Sequence, residues 1–167
     1  MACSSRVSAL LVFALSLSFT LCTGRAALGD TLPAGSVAGD FNADGRLDVL
    51  VQPADATHPG EILLQDGTGA LSIQVQVLDP GFLGLDWVRS DSVAHTGDFN
   101  GDGRADVLLQ SKQSGGVQAI LLTDSTSQLD TITQTIPANY MGIDWSAATH
   151  TLVTGDFNGD GHSDVLL

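Results

Sequence analysis

The chain has 167 residues, enough for one ordinary domain once any processed segment is set aside. Its 19 acidic and 6 basic side chains give a net charge of −13, which argues against nucleic acid as a partner because phosphate binding requires a basic surface. Glu61 is the only glutamate, and since aspartate favours turns whereas glutamate favours helix interiors, the composition predicts a turn-rich β protein rather than a helical one.

Residues 1–27 have the pattern of a secretory signal peptide. Arg6 supplies a positive charge, residues 7–21 form an apolar core, and small residues follow around Gly24. The core is shorter than the roughly 20 residues that a bilayer-spanning helix needs, so we predict cleavage and no transmembrane span in the mature chain. The protein is then expected to be secreted, extracellular or at the cell surface, or periplasmic in a bacterium, with residues 28–35 as a short leader.

Signal cleavage would also remove the cysteines, Cys3 and Cys22, so the mature chain would contain no disulfide. A secreted protein without disulfides needs another way to stabilise its loops, and metal ions are the obvious candidate. The acidic excess agrees with this expectation, because so many carboxylates repel one another unless cations lie among them.

The remaining sequence repeats with a period of 58 residues. GDFNADGRLDVL begins at Gly39, GDFNGDGRADVL at Gly97 and GDFNGDGHSDVL at Gly155, and FLGLDW and YMGIDW recur between them at the same spacing. We therefore predict three structural units, over residues 36–93, 94–151 and 152–167, the last of which is partial.

Each complete unit is expected to contain four short strands separated by Gly, Asp, Ser and Thr clusters. Runs of consecutive apolar residues in the second and third strands predict burial on both faces. The fold class is then all-β, with four-stranded antiparallel sheets that form about two and a half blades of an incomplete β-propeller. The predicted strands are, from first to fourth in each unit, 36–38, 48–52, 61–65 and 70–78; 93–96, 106–110, 118–123 and 128–136; and 151–154 and 164–167.

The acidic loop of each repeat has oxygen-bearing side chains at positions 1, 3, 5 and 9 and glycine at position 6, where the backbone must turn sharply. Position 7 can add its backbone carbonyl, and six or seven oxygens suit Ca²⁺ better than Mg²⁺. We predict about one Ca²⁺ in each of the three loops. The expected ligands are Asp40, Asn42, Asp44, Arg46 and Asp48 in loop 1 (residues 40–48); Asp98, Asn100, Asp102, Arg104 and Asp106 in loop 2 (98–106); and Asp156, Asn158, Asp160, His162 and Asp164 in loop 3 (156–164), with Arg46, Arg104 and His162 contributing only backbone carbonyls.

The loops have two other interpretations. An EF-hand needs glutamate at position 12 and flanking helices, whereas position 12 is Val51, Leu109 or Leu167 here, so that interpretation is rejected. A metal-free β-turn rich in Asp, Asn and Gly is the other. Three copies with every ligand position filled favour calcium.

These residues resemble the FG-GAP or VCBS-type repeats of integrin-like β-propellers, whose hallmark is a GDFNGDGxxD calcium loop in a blade hairpin. The resemblance implies a propeller, usually of about seven blades, with one Ca²⁺ in each motif-bearing blade. It also implies export or surface display and a role in adhesion, in binding a protein or glycan ligand, or in scaffolding. It implies no catalytic activity.

Closed propellers need at least about four blades, more than this sequence supplies. We expect either further blades of a longer parent chain or other copies of this chain to complete the ring. A chain that stops within a unit at Leu167 exposes an apolar strand edge, which favours an N-terminal fragment of a longer protein.

Trp87 and Trp145 occupy the same position in their units and could stack on sugar rings, but their recurrence favours packing anchors. Asp86 and Asp144 precede them and could bind a glycan hydroxyl, or satisfy a turn. His95 is expected to be packed or interfacial. The predicted function is a non-enzymatic, calcium-stabilised module for binding, adhesion or scaffolding. The alternatives are a lectin-like propeller, a non-catalytic part of a polysaccharide-active or toxin-associated surface protein, and a propeller-type polysaccharide-cleaving enzyme.

Overall fold

The computed structural model describes residues 32–167, so the predicted signal peptide and the first half of the short leader that follows it lie outside the described residues. Within that range the chain is all-β, as predicted, and no helix is long and apolar enough to cross a membrane. Two single 3₁₀ turns, Phe82–Gly84 and Tyr140–Gly142, lie in the connections between units. The strands are β1 Ser36–Gly39, β2 Asp48–Val51, β3 Gly60–Gln65 and β4 Leu71–Leu78 in sheet 1; β5 Ser92–Gly97, β6 Asp106–Ser111, β7 Gln118–Thr123 and β8 Leu129–Ile136 in sheet 2; and β9 Val153–Gly155 and β10 Asp164–Leu166 in sheet 3.

Sheets 1 and 2 are antiparallel meanders with the strands in chain order. Each acidic loop closes the first hairpin of its sheet, with Gly39 opposite Asp48 and Gly97 opposite Asp106. Even the irregularities recur, since the pairing of the third and fourth strands shifts after Ile62 in sheet 1 and again 58 residues later in sheet 2. The 58-residue repeat is thus a repeat of structure as well as of sequence.

The sheets stack with their first strands side by side, β1 beside β5 and β5 beside β9. Apolar side chains fill the space between successive sheets. The larger core, between sheets 1 and 2, includes Leu50, Ile62 and Leu121, and a smaller core around Leu108 and Leu152 lies between sheet 2 and the third unit. This is the arrangement of propeller blades, and it is not closed within residues 32–167.

Burial follows the prediction in the second strands and departs from it in the third. The second strands are buried on both faces, as Val49 and Leu50 show in β2. In β3 the burial alternates instead: Ile62 and Leu64 are buried, whereas Leu63 is half-buried. Its cross-strand partner in β2, Val49, is fully buried. The prediction of burial on both faces was therefore wrong for β3.

A buried glutamine after β2 fastens sheet 1 to the next unit. The Nε2 group of Gln52 donates hydrogen bonds to the carbonyl of Trp87 at 3.2 Å and to the hydroxyl of Ser92 at 3.0 Å. Its Oε1 accepts a hydrogen bond from the backbone N–H of Ala94 at 3.2 Å. One side chain thus satisfies polar groups of the connection and of β5, which would be costly to leave unpaired in this buried position.

The equivalent residue in sheet 2, Gln110, makes a similar junction with a different partner. Its Nε2 group donates to the carbonyls of Trp145 at 2.8 Å and His150 at 3.3 Å. Its Oε1 lies 3.0 Å from Nε2 of His95. Because Oε1 can only accept, His95 must carry a proton on Nε2. His95 is thus half-buried and packed against Gln110, in agreement with the prediction of a packed or interfacial residue.

This junction makes stability depend on pH. Burial lowers the pKa of His95 below the ordinary value of 6.5, and the hydrogen bond to Gln110 only partly opposes that shift. The folded chain therefore binds this proton less tightly than the unfolded chain, and stability falls as the pH drops below about 6.5. We expect His95→Val, which introduces the residue found at Val37 and Val153, to reduce this loss by at most about 1.4 kcal/mol per pH unit. Urea unfolding of both chains at pH 8 and pH 5 measures the difference, and identical pH dependence would contradict the assignment.

Candidate metal centre

The three acidic loops share one backbone path. The glycine at position 6 is left-handed in each, with φ of +81° at Gly45, +86° at Gly103 and +88° at Gly161, as the turn at that position requires. Position 4 is left-handed as well, with Ala43 at φ +58° where Gly101 and Gly159 stand in the other loops. This second turn was not predicted, although glycine at position 4 in two of three copies was a signal for it.

The aspartate at position 1 organises each loop around its carboxylate. In loop 1, Oδ1 of Asp40 accepts from the backbone N–H of Asp44 at 3.0 Å and Oδ2 accepts from that of Gly45 at 2.7 Å. Asp98 and Asp156 accept hydrogen bonds from the same positions of loops 2 and 3. These hydrogen bonds from positions 5 and 6 to position 1 therefore fold each loop back onto its first residue.

Positions 3 and 5 join the first aspartate on one side of the loop. Oδ1 of Asn42 accepts from the same backbone nitrogen of Asp44, at 3.1 Å, and Nδ2 of Asn42 donates to Oδ2 of Asp44 at 2.7 Å. The corresponding bonds recur in loops 2 and 3. Across residues 32–167 no three His, Cys, Asp or Glu side chains form a group suited to a metal. The gathered set in each loop consists of two carboxylates and one amide.

The aspartate at position 9 lies in the sheet and has a different structural role. Asp48 is fully buried, and its carboxylate accepts the N–H of Phe41 at 2.9 Å and that of Gln65 at 2.8 Å. It thereby joins the loop to the end of the third strand. Burial raises its pKa, although the two hydrogen bonds oppose the shift, and the negative charges of Asp44 and Asp40 raise it further.

Asp106 repeats this arrangement in sheet 2, with the N–H groups of Phe99 at 2.9 Å and Thr123 at 2.8 Å. Burial raises its pKa too. Asp164 accepts the N–H of Phe157 at 3.1 Å and is half-buried, because within residues 32–167 its sheet has two strands, β9 and β10.

Position 7 distinguishes the loops. The guanidinium of Arg46 pairs with the carboxylate of Asp44 at 2.5 Å, and Arg104 pairs with Asp102 in the same way. In loop 3 the side chain at this position is His162, for which no such pair is formed. An internal cationic side chain thus contacts the position 5 carboxylate in two of the three loops.

The donor set fits a hard cation. Positions 1, 3 and 5 offer only oxygen from carboxylate and amide groups on one side of each loop, which is the ligand chemistry that Ca²⁺ prefers. Each oxygen that accepts one backbone hydrogen keeps a second lone pair. At position 9, the remaining lone pairs of Asp48, Asp106 and Asp164 could bind a cation. At position 5, a cation would compete for the carboxylates with the side chains of Arg46 and Arg104.

The tryptophans serve the packing of the units. Trp87 is fully buried, and its Nε1 donates to the carbonyl of Phe82 at 3.0 Å. Its ring is therefore closed to a sugar, and the packing interpretation is confirmed at this position. Trp145 is half-buried and makes the equivalent bond to Tyr140 at 3.2 Å.

The aspartates before the tryptophans form turns. Asp86 accepts the N–H of Val88 at 3.1 Å and lines a pocket of about 230 Å³ that also includes Asp91 and Gln113. Asp144 accepts the hydroxyl of Ser114 at 2.7 Å, which is the main cause of its lowered pKa. The pocket at Asp86 could admit a small polar ligand.

The buried aspartate at position 9 and the exposed aspartate at position 5 should contribute differently to stability in the absence of metal. Asp106→Ala leaves two backbone N–H groups without a partner, so we expect it to cost about 2–5 kcal/mol in EDTA. Asp102→Ala removes an exposed carboxylate and should change stability by less than about 1 kcal/mol under the same conditions. Urea unfolding measures both, with Asp130→Ala on the exposed side of β8 as the control. Equal costs for the two loop variants would contradict the structural role of position 9.

Substitutions at position 4, where the backbone is left-handed, should have opposite effects on stability in loop 1 and in loop 3. Ala43→Gly should stabilise the chain by about 0.5–1 kcal/mol because glycine adopts this conformation without a Cβ clash. Gly159→Ala should destabilise it by a similar amount, since φ is +79° there and open space rules out any other contact of the new methyl group. Thermal unfolding in EDTA tests both, and a change of the same sign in the two variants would show that backbone strain is not the cause.

A family model described as an FG-GAP-like repeat matches residues 40–109 and again residues 98–167. The two matches together span most of the described chain and include all three acidic loops. No curated protein and no solved structure shows significant similarity to the chain. Loops, hairpins and sheet order agree with the family match, and the chain belongs to the FG-GAP-like repeat family as a β-propeller-type module.

Proposed function

We propose that this chain is an exported calcium-binding module for binding, adhesion or scaffolding, in which Ca²⁺ has a structural role. The observation that carries the proposal is the threefold occurrence of one loop in which the oxygens of positions 1, 3 and 5 are gathered by hydrogen bonds to the same backbone segment. An ordinary turn does not require all of these ligand positions to be filled in every copy.

The proposed role follows from charge and connectivity. Each loop contains three aspartates, so without a cation the like charges oppose the folded loop. A bound Ca²⁺ would supply positive charge among these oxygens and offset the repulsion. The loop closes the first hairpin, and its position 9 residue, such as Asp48, already reaches the third strand. Stabilising the loop would therefore stabilise three strands of the sheet.

The residues that would hold Ca²⁺ are those of the sequence prediction. Asp40, Asn42 and Asp44 would provide the gathered oxygens of loop 1, Arg46 its backbone carbonyl, and Asp48 an oxygen from the buried side. The same positions would serve in loops 2 and 3. The side chain of Arg46 would have to release Asp44, whereas loop 3 has no such pair. None of these residues is proposed to take part in a reaction.

Export and recognition are the second part of the proposal. The N-terminal pattern and the cysteine-free remainder of the sequence support secretion or surface display. The ends of the sheets opposite the acidic loops support recognition, because the connections between units expose Leu83, Tyr140, Met141 and Ile143 there. Exposed apolar groups of this kind are typical of protein-binding surfaces.

The alternatives differ in what the surface recognises or does. A lectin-like role through stacking on Trp87 finds no support, since that ring is fully buried. A glycan could still contact the pocket at Asp86, and a polysaccharide-cleaving propeller would need catalytic groups on its connecting loops. Binding of a protein partner remains the proposal that the exposed apolar residues favour.

Calcium removal tests the structural role. Extracellular calcium sites bind at about 10⁻⁴–10⁻³ M, so 1 mM Ca²⁺ at the tighter end adds roughly 1.4 kcal/mol per site, or roughly 4 kcal/mol for three. We expect EDTA to lower the melting temperature by roughly 10 °C, with full recovery in Ca²⁺ and poor recovery in equimolar Mg²⁺.

A matched pair of variants serves as control. Asp102→Ala should reduce the stabilisation by Ca²⁺ by at least about a third, the share of one independent site, whereas Asp130→Ala, outside the loops, should leave it unchanged. Melting that is indifferent to EDTA, together with no heat of Ca²⁺ binding in calorimetry, would show that the loops are turns without metal.

A further inference from the structure

Neighbouring acidic loops are joined directly by backbone hydrogen bonds. The N–H of Ala105 in loop 2 donates to the carbonyl of Asp40 in loop 1 at 2.7 Å. The N–H of Ser163 in loop 3 donates to the carbonyl of Asp98 in loop 2 at 2.6 Å. In both cases position 8 of one loop holds position 1 of the loop before it.

The strands that enter the loops are joined in the same way. The hydroxyl of Thr96 donates to the carbonyl of Ala38 at 2.8 Å, and that of Thr154 donates to the carbonyl of Thr96 at 2.6 Å. The three first strands and their loops thus form one hydrogen-bonded stack.

Packing leaves no gap between the loops. A Cβ added at Gly39 would lie 2.5 Å from the Cβ of Ala105, and one added at Gly97 would lie 2.8 Å from that of Ser163. Glycine before each loop therefore permits the close approach of the next loop. Loop 2 has a further contact with loop 3, since a Cβ at Gly101 would lie 2.7 Å from the ring of His162.

The bonded residues lie among the proposed ligands. Asp40 is position 1 of loop 1, and Ala105 stands between Arg104 and Asp106, positions 7 and 9 of loop 2. A cation that fixes Asp40 also fixes the acceptor of the Ala105 amide, which lowers the ordering cost for the neighbouring ligands. No hydrogen bond within residues 32–167 joins loop 1 to loop 3 directly.

We propose that the three loops bind Ca²⁺ as a coupled stack, with positive cooperativity between neighbours and with loop 2 as the link between loops 1 and 3. This inference rests on the proposed function and adds to it a means of regulation: the stack orders over a narrow range of calcium concentration. The repulsion between bound cations acts in the opposite direction and is screened by salt, whereas contacts between the loops are not.

Isothermal titration of the full chain with Ca²⁺ tests the coupling. One loop at a time is silenced at position 5 by Asp44→Ala, Asp102→Ala or Asp160→Ala, each of which leaves the buried aspartate at position 9 in place. The end-loop variants keep two adjacent loops, and the middle-loop variant keeps two separated ones. We expect a Hill coefficient above 1 for the wild type and for both end-loop variants. For Asp102→Ala we expect non-cooperative binding with a midpoint at least about fivefold higher.

A second set of variants alters the link without altering a ligand. Gly39→Ala should abolish the coupling of loops 1 and 2 while three Ca²⁺ still bind. Gly81→Ala is the control, because Gly81 has φ of −107° and open space around its Cα. If Gly39→Ala fails to fold, Thr96→Val removes one hydrogen bond of the same link with little change of shape. Relative to the wild type, the link variant should lose the same amount of cooperativity in titrations at 0.15 M and at 0.5 M salt.

The outcomes separate the inference from the proposed function. Three Ca²⁺ bound by the wild type and two by each silenced variant, with equal midpoints in the three variants, would overturn the coupling and leave the calcium role intact. Unchanged cooperativity in the folded link variants would also overturn it. No binding of Ca²⁺ by the wild-type chain would overturn both.

Discussion

The buried aspartate at position 9 is the interaction on which each complete unit depends. Asp48 and Asp106 each hold one backbone N–H from the acidic loop and one from the end of the third strand. A buried carboxylate without such partners would be costly, and these N–H groups would in turn lack an acceptor. The bond therefore ties loop, first hairpin and third strand into one unit. Where the third strand is missing, as at Asp164, the same side chain is only half-buried.

The repeat also shapes how units are joined, because several contacts that one sheet makes with the next recur after 58 residues. The glutamine after the second strand and the threonine before the loop illustrate the rule, since each reaches across to the following or preceding unit. His95 shows how much variation the junction tolerates. The side chain of His95 bonds to Oε1 of Gln110, whereas the corresponding Oε1 of Gln52 bonds to the backbone N–H of Ala94. The sheets remain stacked in both cases. Such junctions allow local substitution while the stacking geometry is kept.

Local patterns carried most of what could be predicted from the sequence. Strand positions and the left-handed glycine at position 6 follow from short-range chemistry, and the all-β class follows from the repeat and its turn residues. Two of the misses involve contacts between distant residues. The half-burial of Leu63 depends on which face of sheet 1 is covered, and the role of Gln52 depends on partners 35 to 42 residues away. The pairing of Arg46 with Asp44 was missed because position 7 was considered only for its carbonyl.

The two ends of the sheet stack differ in chemistry, and this difference favours separate roles for the two ends. Loops 1 to 3 lie at one end, where nine aspartates occur at fixed positions and any change affects hydrogen bonds within a loop or between loops. At the other end, the connections between units carry Leu83 and Met141, exposed and at equivalent positions, yet different in side chain. Substitutions there leave the loop network intact, because no hydrogen bond of the loops reaches these residues within the described chain. Under the proposed function, a repeat protein built in this way can change what it recognises at one end while the other end keeps the same requirements for folding and for Ca²⁺.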